Sequence, residues 1–154
     1  MHAAVRNVIA EAGEGADDDV CILDTEASSE QFTRSVAQRA DTMLLVVEPY
    51  FKSMESGRRM GLLAADLGVP RIAVVANKVR DAGDEARVRE FAGQNGLEIA
   101  AFIPFDEAMP AAERAGVAPL DHSPSSPAVV AIGALAQSLA DRHPRQGRDS
   151  GAVA

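Results

Sequence analysis

The sequence is poor in the residues that announce several common chemistries. It has one cysteine, no tryptophan, one tyrosine, three histidines and, among fifteen basic side chains, only two lysines, Lys52 and Lys78. A single cysteine excludes an internal disulfide, and Cys21, inside the apolar run "VCILDTE", is expected to act as a small buried hydrophobe. His2, His122 and His143 lie far apart, without spaced carboxylates or cysteines around them. No metal site is therefore expected, and no Ser-His-Asp or Cys-His arrangement can be built. No apolar run approaches the ~18 residues needed to cross a bilayer. The start "MHAAVRNVIAEAGEG" lacks a basic leader ahead of an apolar core, so a soluble, cytoplasmic protein is expected with no membrane partner. A net charge of −8 and a pI of about 4.8 argue against nucleic acid, whose phosphates need clustered Lys and Arg.

What is present is an alternation. The strands "VCILDTE", "TMLLVVEP", "RIAVVAN" and "LEIAAFIPF" are separated by the helical stretches "SSEQFTRSVAQRA", "SMESGRRMGLLAADLG" and "DEARVREFAGQNG". A helix "HAAVRNVIAEAG" precedes them. A short helix "DEAMPAAERAG", a Pro/Ser break "LDHSPSSP" and an amphipathic helix "AVVAIGALAQSLADR" follow. Strands that are apolar throughout, alternating with helices, predict an α/β fold with a mostly parallel sheet covered by helices on both faces. One domain is expected over residues 1–142, with 143–154 as a flexible tail.

Ligands of such sheets bind at the carboxyl ends of the strands, which directs attention to three tips. Asp24 at the first could orient a magnesium-bound water beside a nucleotide, or could simply cap the following helix. Glu26 and Glu30 read as first-turn acids favoured by the helix dipole. Asn77 offers a donor and an acceptor to a base edge, and the Lys78 stem can lie on a flat ring; structurally they would be a turn residue and a solvated cation. Pro104 ends a strand and Asp106 starts a helix, which alone explains "IPFD" as a turn.

The phosphates have no evident host. A phosphate loop needs G-x-x-x-x-G-K-[ST] or a variant with an extra lysine, and neither Lys52, after "PYF", nor Lys78, after Asn77, stands in that setting. "GEG" at Gly13 to Gly15 is flanked by acids that would repel phosphate.

Taken together, "CILDTEASSEQFTR", "LLVVEPYFKSMESGRRMGLLAADLGVPRIAVVANKVR" and "IPFDEAMPAAERAG" resemble the accessory ATPases that insert nickel into carbon monoxide dehydrogenase. These are the CooC-type branch of the MinD/ParA-like deviant Walker A, P-loop family. The resemblance implies ATP and magnesium as the cofactors of the parent family, and Asp24 as a switch residue. It also implies an adenine side lined by Asn77 and Lys78 with Pro104, Phe105 and Asp106. A homodimer or a metalloenzyme partner is implied in the same way. Family members carry a glycine- and lysine-rich loop well before the "DTEA" element and often a Cys-x-Cys motif before a "HALLR"-like helix. Here "HAAVR" follows Met1 directly, and Ser28 stands where a glycine is common. The expectation is the carboxyl-terminal part of such an ATPase, with no catalytic residues sufficient for hydrolysis in isolation. Two alternatives are a non-catalytic interaction module on the same scaffold and a receiver- or flavodoxin-like domain, for which Asp24, Glu26 and Lys78 would supply a loose acidic cluster and lysine.

Overall fold

The computed structural model describes residues 21–24 and 40–142. Within them lie three strands, β1 (Thr42–Val47), β2 (Arg71–Val79) and β3 (Glu98–Pro104), all parallel in the order β1-β2-β3. Helix α1 (Phe51–Asp66) joins β1 to β2 and α2 (Ala82–Gln94) joins β2 to β3. After β3 come α3 (Ala108–Ala115), the single turn α4 (Pro119–His122) and α5 (Pro127–Arg142). The α/β class and the parallel sheet follow the expectation from the sequence.

Two layers of core sandwich the sheet. On one face Leu45 and Val47 of β1 and Val74 and Ala76 of β2 meet Met60 and Ala64 of α1 and Val88 and Phe91 of α2. On the other, Val75 and Ile103 pack against Ala128 of α5, with Ala131 and Leu135 alongside. Period-two alternation in β1 separates the faces: Leu45 and Val47 are buried, whereas Val46 is 62% exposed because α5 packs chiefly on β3 and its layer reaches β1 only at Leu44. Helix α1 approaches β1 closely through small residues. Gly57, Gly61 and Ala64 form one stripe, and a Cβ added at Gly57 would stand 2.6 Å from Val47 Cγ1. At the amino ends of the strands, Arg71 of β2 forks onto Glu98 of β3 at 2.8 and 3.1 Å.

Several expectations need correction. Cys21 to Asp24 form no strand and are exposed, Ile22 by 88%, so the thiol of Cys21 is not a core group and Asp24 does not stand at a strand tip. An apolar run becomes a strand only when a neighbour accepts its ladder, and among the described residues β1 pairs with β2 alone. The Pro/Ser break contains the helical turn α4, started by Pro119 in the first helical turn. Helix α5 is less amphipathic than its sequence suggests, since Val130 and Ile132 face solvent. The first two anticipated helices, and the tail from 143, lie outside the described residues.

Candidate functional site

The carboxyl ends of β1, β2 and β3 carry Glu48, Asn77 with Lys78, and Pro104 with Phe105 and Asp106. The register explains how they are presented. Ala76 pairs with Phe102 and Val79 with Pro104, so Asn77 and Lys78 on β2 oppose Ile103 alone on β3. One extra residue on β2 makes a bulge, which re-aims side chains at the tip. Lys78 takes up the bend with φ of 57°, a left-handed conformation unfavourable for a residue with a Cβ. The Asn77 side-chain oxygen supports it by accepting the Lys78 backbone N–H at 3.0 Å.

The bulge throws Lys78 toward β1, where its Nζ donates to Glu48 Oε1 at 2.9 Å. The Lys78 side chain keeps 54% exposure, so this pair is held weakly and can exchange for another anion. After the bulge the ladder resumes, with Phe105 N–H donating to Val79 O at 2.8 Å. That bond sets the Phe105 ring beside the chain leaving β2, and the Arg80 guanidinium lies over it, 3.7 Å from the centroid. The Arg80 backbone N–H in turn donates to the buried Asp84 carboxylate at 2.9 Å. Asp84 belongs to the first turn of α2, which is capped by Asp81 accepting the Asp84 N–H.

Asp106 serves the scaffold. Its Oδ1 accepts the Ala108 N–H at 2.9 Å and its Oδ2 the Ala128 N–H at 3.2 Å. One carboxylate thus ties the tip of β3 to the starts of α3 and α5. These backbone bonds, with a side-chain hydrogen bond from Ser126, hold its carboxyl below the usual range.

The structure therefore brings Asn77, Lys78, Pro104, Phe105 and Asp106 to one edge and leaves Asp24 out of the sheet. Glu48 and Arg80 were missed from the sequence. Each was legible only as a neighbour: Glu48 as the polar end of "LLVVEP", and Arg80 as the residue two beyond Lys78. A depression of about 260 Å³ between α1 and α2, lined by Phe51, Met54, Arg58 and Phe91 among others, includes none of the tip residues. Among the described residues no three His, Cys, Asp or Glu side chains stand together as a metal would require.

No protein-family model matches the chain. It is 42% identical over 90 residues to an uncharacterised ATP-binding protein of Methanocaldococcus jannaschii, covering 58% of this chain and 35% of that protein. Over 106 residues it is 35% identical to the carbon monoxide dehydrogenase accessory protein CooC of Rhodospirillum rubrum, covering 68% of this chain and 40% of CooC. The septum site-determining protein MinD of Pyrococcus horikoshii, solved with Mg-ADP, superposes with a TM-score of 0.58 at 17% identity, over 74% of this chain and 47% of that one. The chain thus spans well under half the length of the curated relatives it matches.

Proposed function

From the premise that this chain belongs with the CooC- and MinD-like ATP-binding proteins, we propose that it forms the base-side portion of such a nucleotide-binding domain, corresponding to the carboxyl-terminal part of its relatives. The observation that carries the reading is the bulged tip of β2, which sets Asn77 and Lys78 beside Pro104 and Phe105 on one edge. That edge offers an amide and cations to a purine, beside the Phe105 ring over which Arg80 lies. ATP with magnesium is the ligand of the assembled domain, and Asp24 is its switch carboxylate once the sheet is completed. The role of the whole protein is ATP-driven metal delivery to a carbon monoxide dehydrogenase-like enzyme, through a homodimer or by contact with the metalloenzyme itself.

The sequence holds no glycine- and lysine-rich phosphate loop, so this chain by itself does not hydrolyse ATP. Phosphates supply most of the charge-assisted hydrogen bonds in nucleotide sites, and without hosts for them adenosine and ATP bind alike, with dissociation constants of about 1 mM. NMR titration checks this: amides around Asn77 and Phe105 shift equally with either compound, and Asn77→Ala removes both responses. Micromolar binding of ATP but not adenosine, or magnesium-dependent turnover lost in Asp24→Asn, would sink the proposal.

A further inference from the structure

Arg80 differs from the other cations around the strand tips. Lys78 pairs with Glu48 and Arg87 with Asp84, whereas among the described residues the Arg80 guanidinium makes neither an ion pair nor a hydrogen bond. What holds it is the Phe105 ring. At 3.7 Å from the centroid the guanidinium carbon is at stacking distance. An approach through a single N–H would keep that carbon farther away, so the guanidinium carbon itself is seated over the ring. The root of the side chain is fixed as well, since the Arg80 N–H is bound by Asp84 and Phe105 by the carbonyl of Val79. The result is a planar cation seated over an aromatic ring and exposed to solvent, two residues beyond Lys78 on the edge described above.

We infer that Arg80, carried on Phe105, is the stacking platform of this edge: its outer face receives a purine ring, and its unpaired N–H groups reach acceptors on the base or ribose. Guanidinium suits this because it is planar, weakly hydrated and able to stack on both sides at once. Lysine has the charge without the plane. The inference rests on the reading that the edge takes a base, and it deepens that reading by naming the residue that contacts the ring and the purine nucleosides and nucleotides as the class bound.

The test is an NMR titration with AMP, soluble enough to approach saturation, on the full chain and on Arg80→Ala, Arg80→Lys, Phe105→Leu and the double variant Arg80→Ala/Phe105→Leu. In the free protein the Arg80 side-chain protons should resonate upfield under the ring current and lose that shift in Phe105→Leu. Arg80→Ala and Arg80→Lys should each weaken AMP about fivefold, the scale of a partly exposed cation stack. The double variant should be no weaker than the worse single one, because the two side chains act as one stack. Tighter binding in Arg80→Ala would make the guanidinium a cover over Phe105 and overturn the inference. Binding in Arg80→Lys equal to wild type would also overturn it, because charge alone would then suffice. Wild-type affinity in Arg80→Ala with shifts still centred on Asn77 would remove the platform and leave the base site standing. An absence of shifts in the wild-type chain would instead remove the base site itself.

Discussion

At Lys78 a non-glycine residue holds φ of 57° at the point where the sheet hands over to the candidate site. Such a conformation costs about 1 kcal/mol or more and persists only when its surroundings fix it. Here the Asn77 oxygen, the resumed Val79 to Pro104 pairing and Glu48 do so. Lys78→Val, with a branched Cβ in the left-handed region, should lose about 1–3 kcal/mol of stability in urea unfolding. Lys78→Asn, which tolerates that region, should stay within about 0.5 kcal/mol of wild type. Glu55 offers a second test at this scale. Hydrogen bonds from Arg58 and then Arg59 lower its carboxyl to about 2 from the ordinary 4.5. Its folded value lies below its unfolded one, so its contribution is complete above about pH 4.5 and is lost as the pH falls toward 2. A carbon-13 titration of the Glu55 carboxyl should find its midpoint near 2, and Arg58→Ala should move that midpoint upward.

Helices α1 and α5 make opposite use of glycine. Gly57 lies against Val47, so Gly57→Ala should force α1 off the sheet and cost about 1–3 kcal/mol. Gly133 on α5 has nothing within 4 Å of an added Cβ, and Gly133→Ala should stabilise by about 0.5–1 kcal/mol through helix propensity. Paired thermal melts of the two variants, with shifts in opposite directions, check both. The elements themselves were legible: three of the four anticipated strands and the helices after each appear in place, because long apolar runs between Gly and Pro punctuation constrain the chain locally. "VCILDTE" misled because an apolar run records a wish for burial and not the presence of a partner strand. The candidate edge was half legible. Asn77, Lys78 and Phe105 announced themselves as a strand tip, but the bulge that aims them depends on a register between residues distant in sequence, Ala76 with Phe102 and Val79 with Pro104. The same holds for Glu48 and Arg80, whose partners are Lys78 and Phe105 across neighbouring tips.

Taken whole, the described sheet has one inner strand and two edges: among the described residues β1 and β3 each pair with β2 alone, but α5 packs on β3 and leaves Val46 of β1 exposed. In a parallel ladder amides point alternately to either side, so hydrogen exchange should be slowest along Val74 to Ala76 and fast at every second amide of β1. Uniform protection of β1 would reveal a partner strand on its outer edge. The net charge of −8 is a further property of the whole, keeping copies apart at neutral pH and losing that effect near the pI of about 4.8. Solubility should therefore pass through a minimum there, as light scattering across a pH series would record.

The order β1-β2-β3 in space is also the order along the chain. Each strand therefore meets its neighbour after one helical excursion, and no later segment has to be inserted between strands already joined. A polypeptide emerging from the ribosome can lay this sheet down in the sequence of its synthesis, each turn of α1 and α2 closing only a short loop. Pro104 and Phe105 come last in that assembly, so the bend at Lys78, already held by Asn77 and Glu48, gains the flanking ladder beyond it only after the β3 tip has been translated. Nascent chains arrested before and after that point should differ in protection at Lys78, so that completion of the edge reports the arrival of "IPFD" rather than the folding of β2.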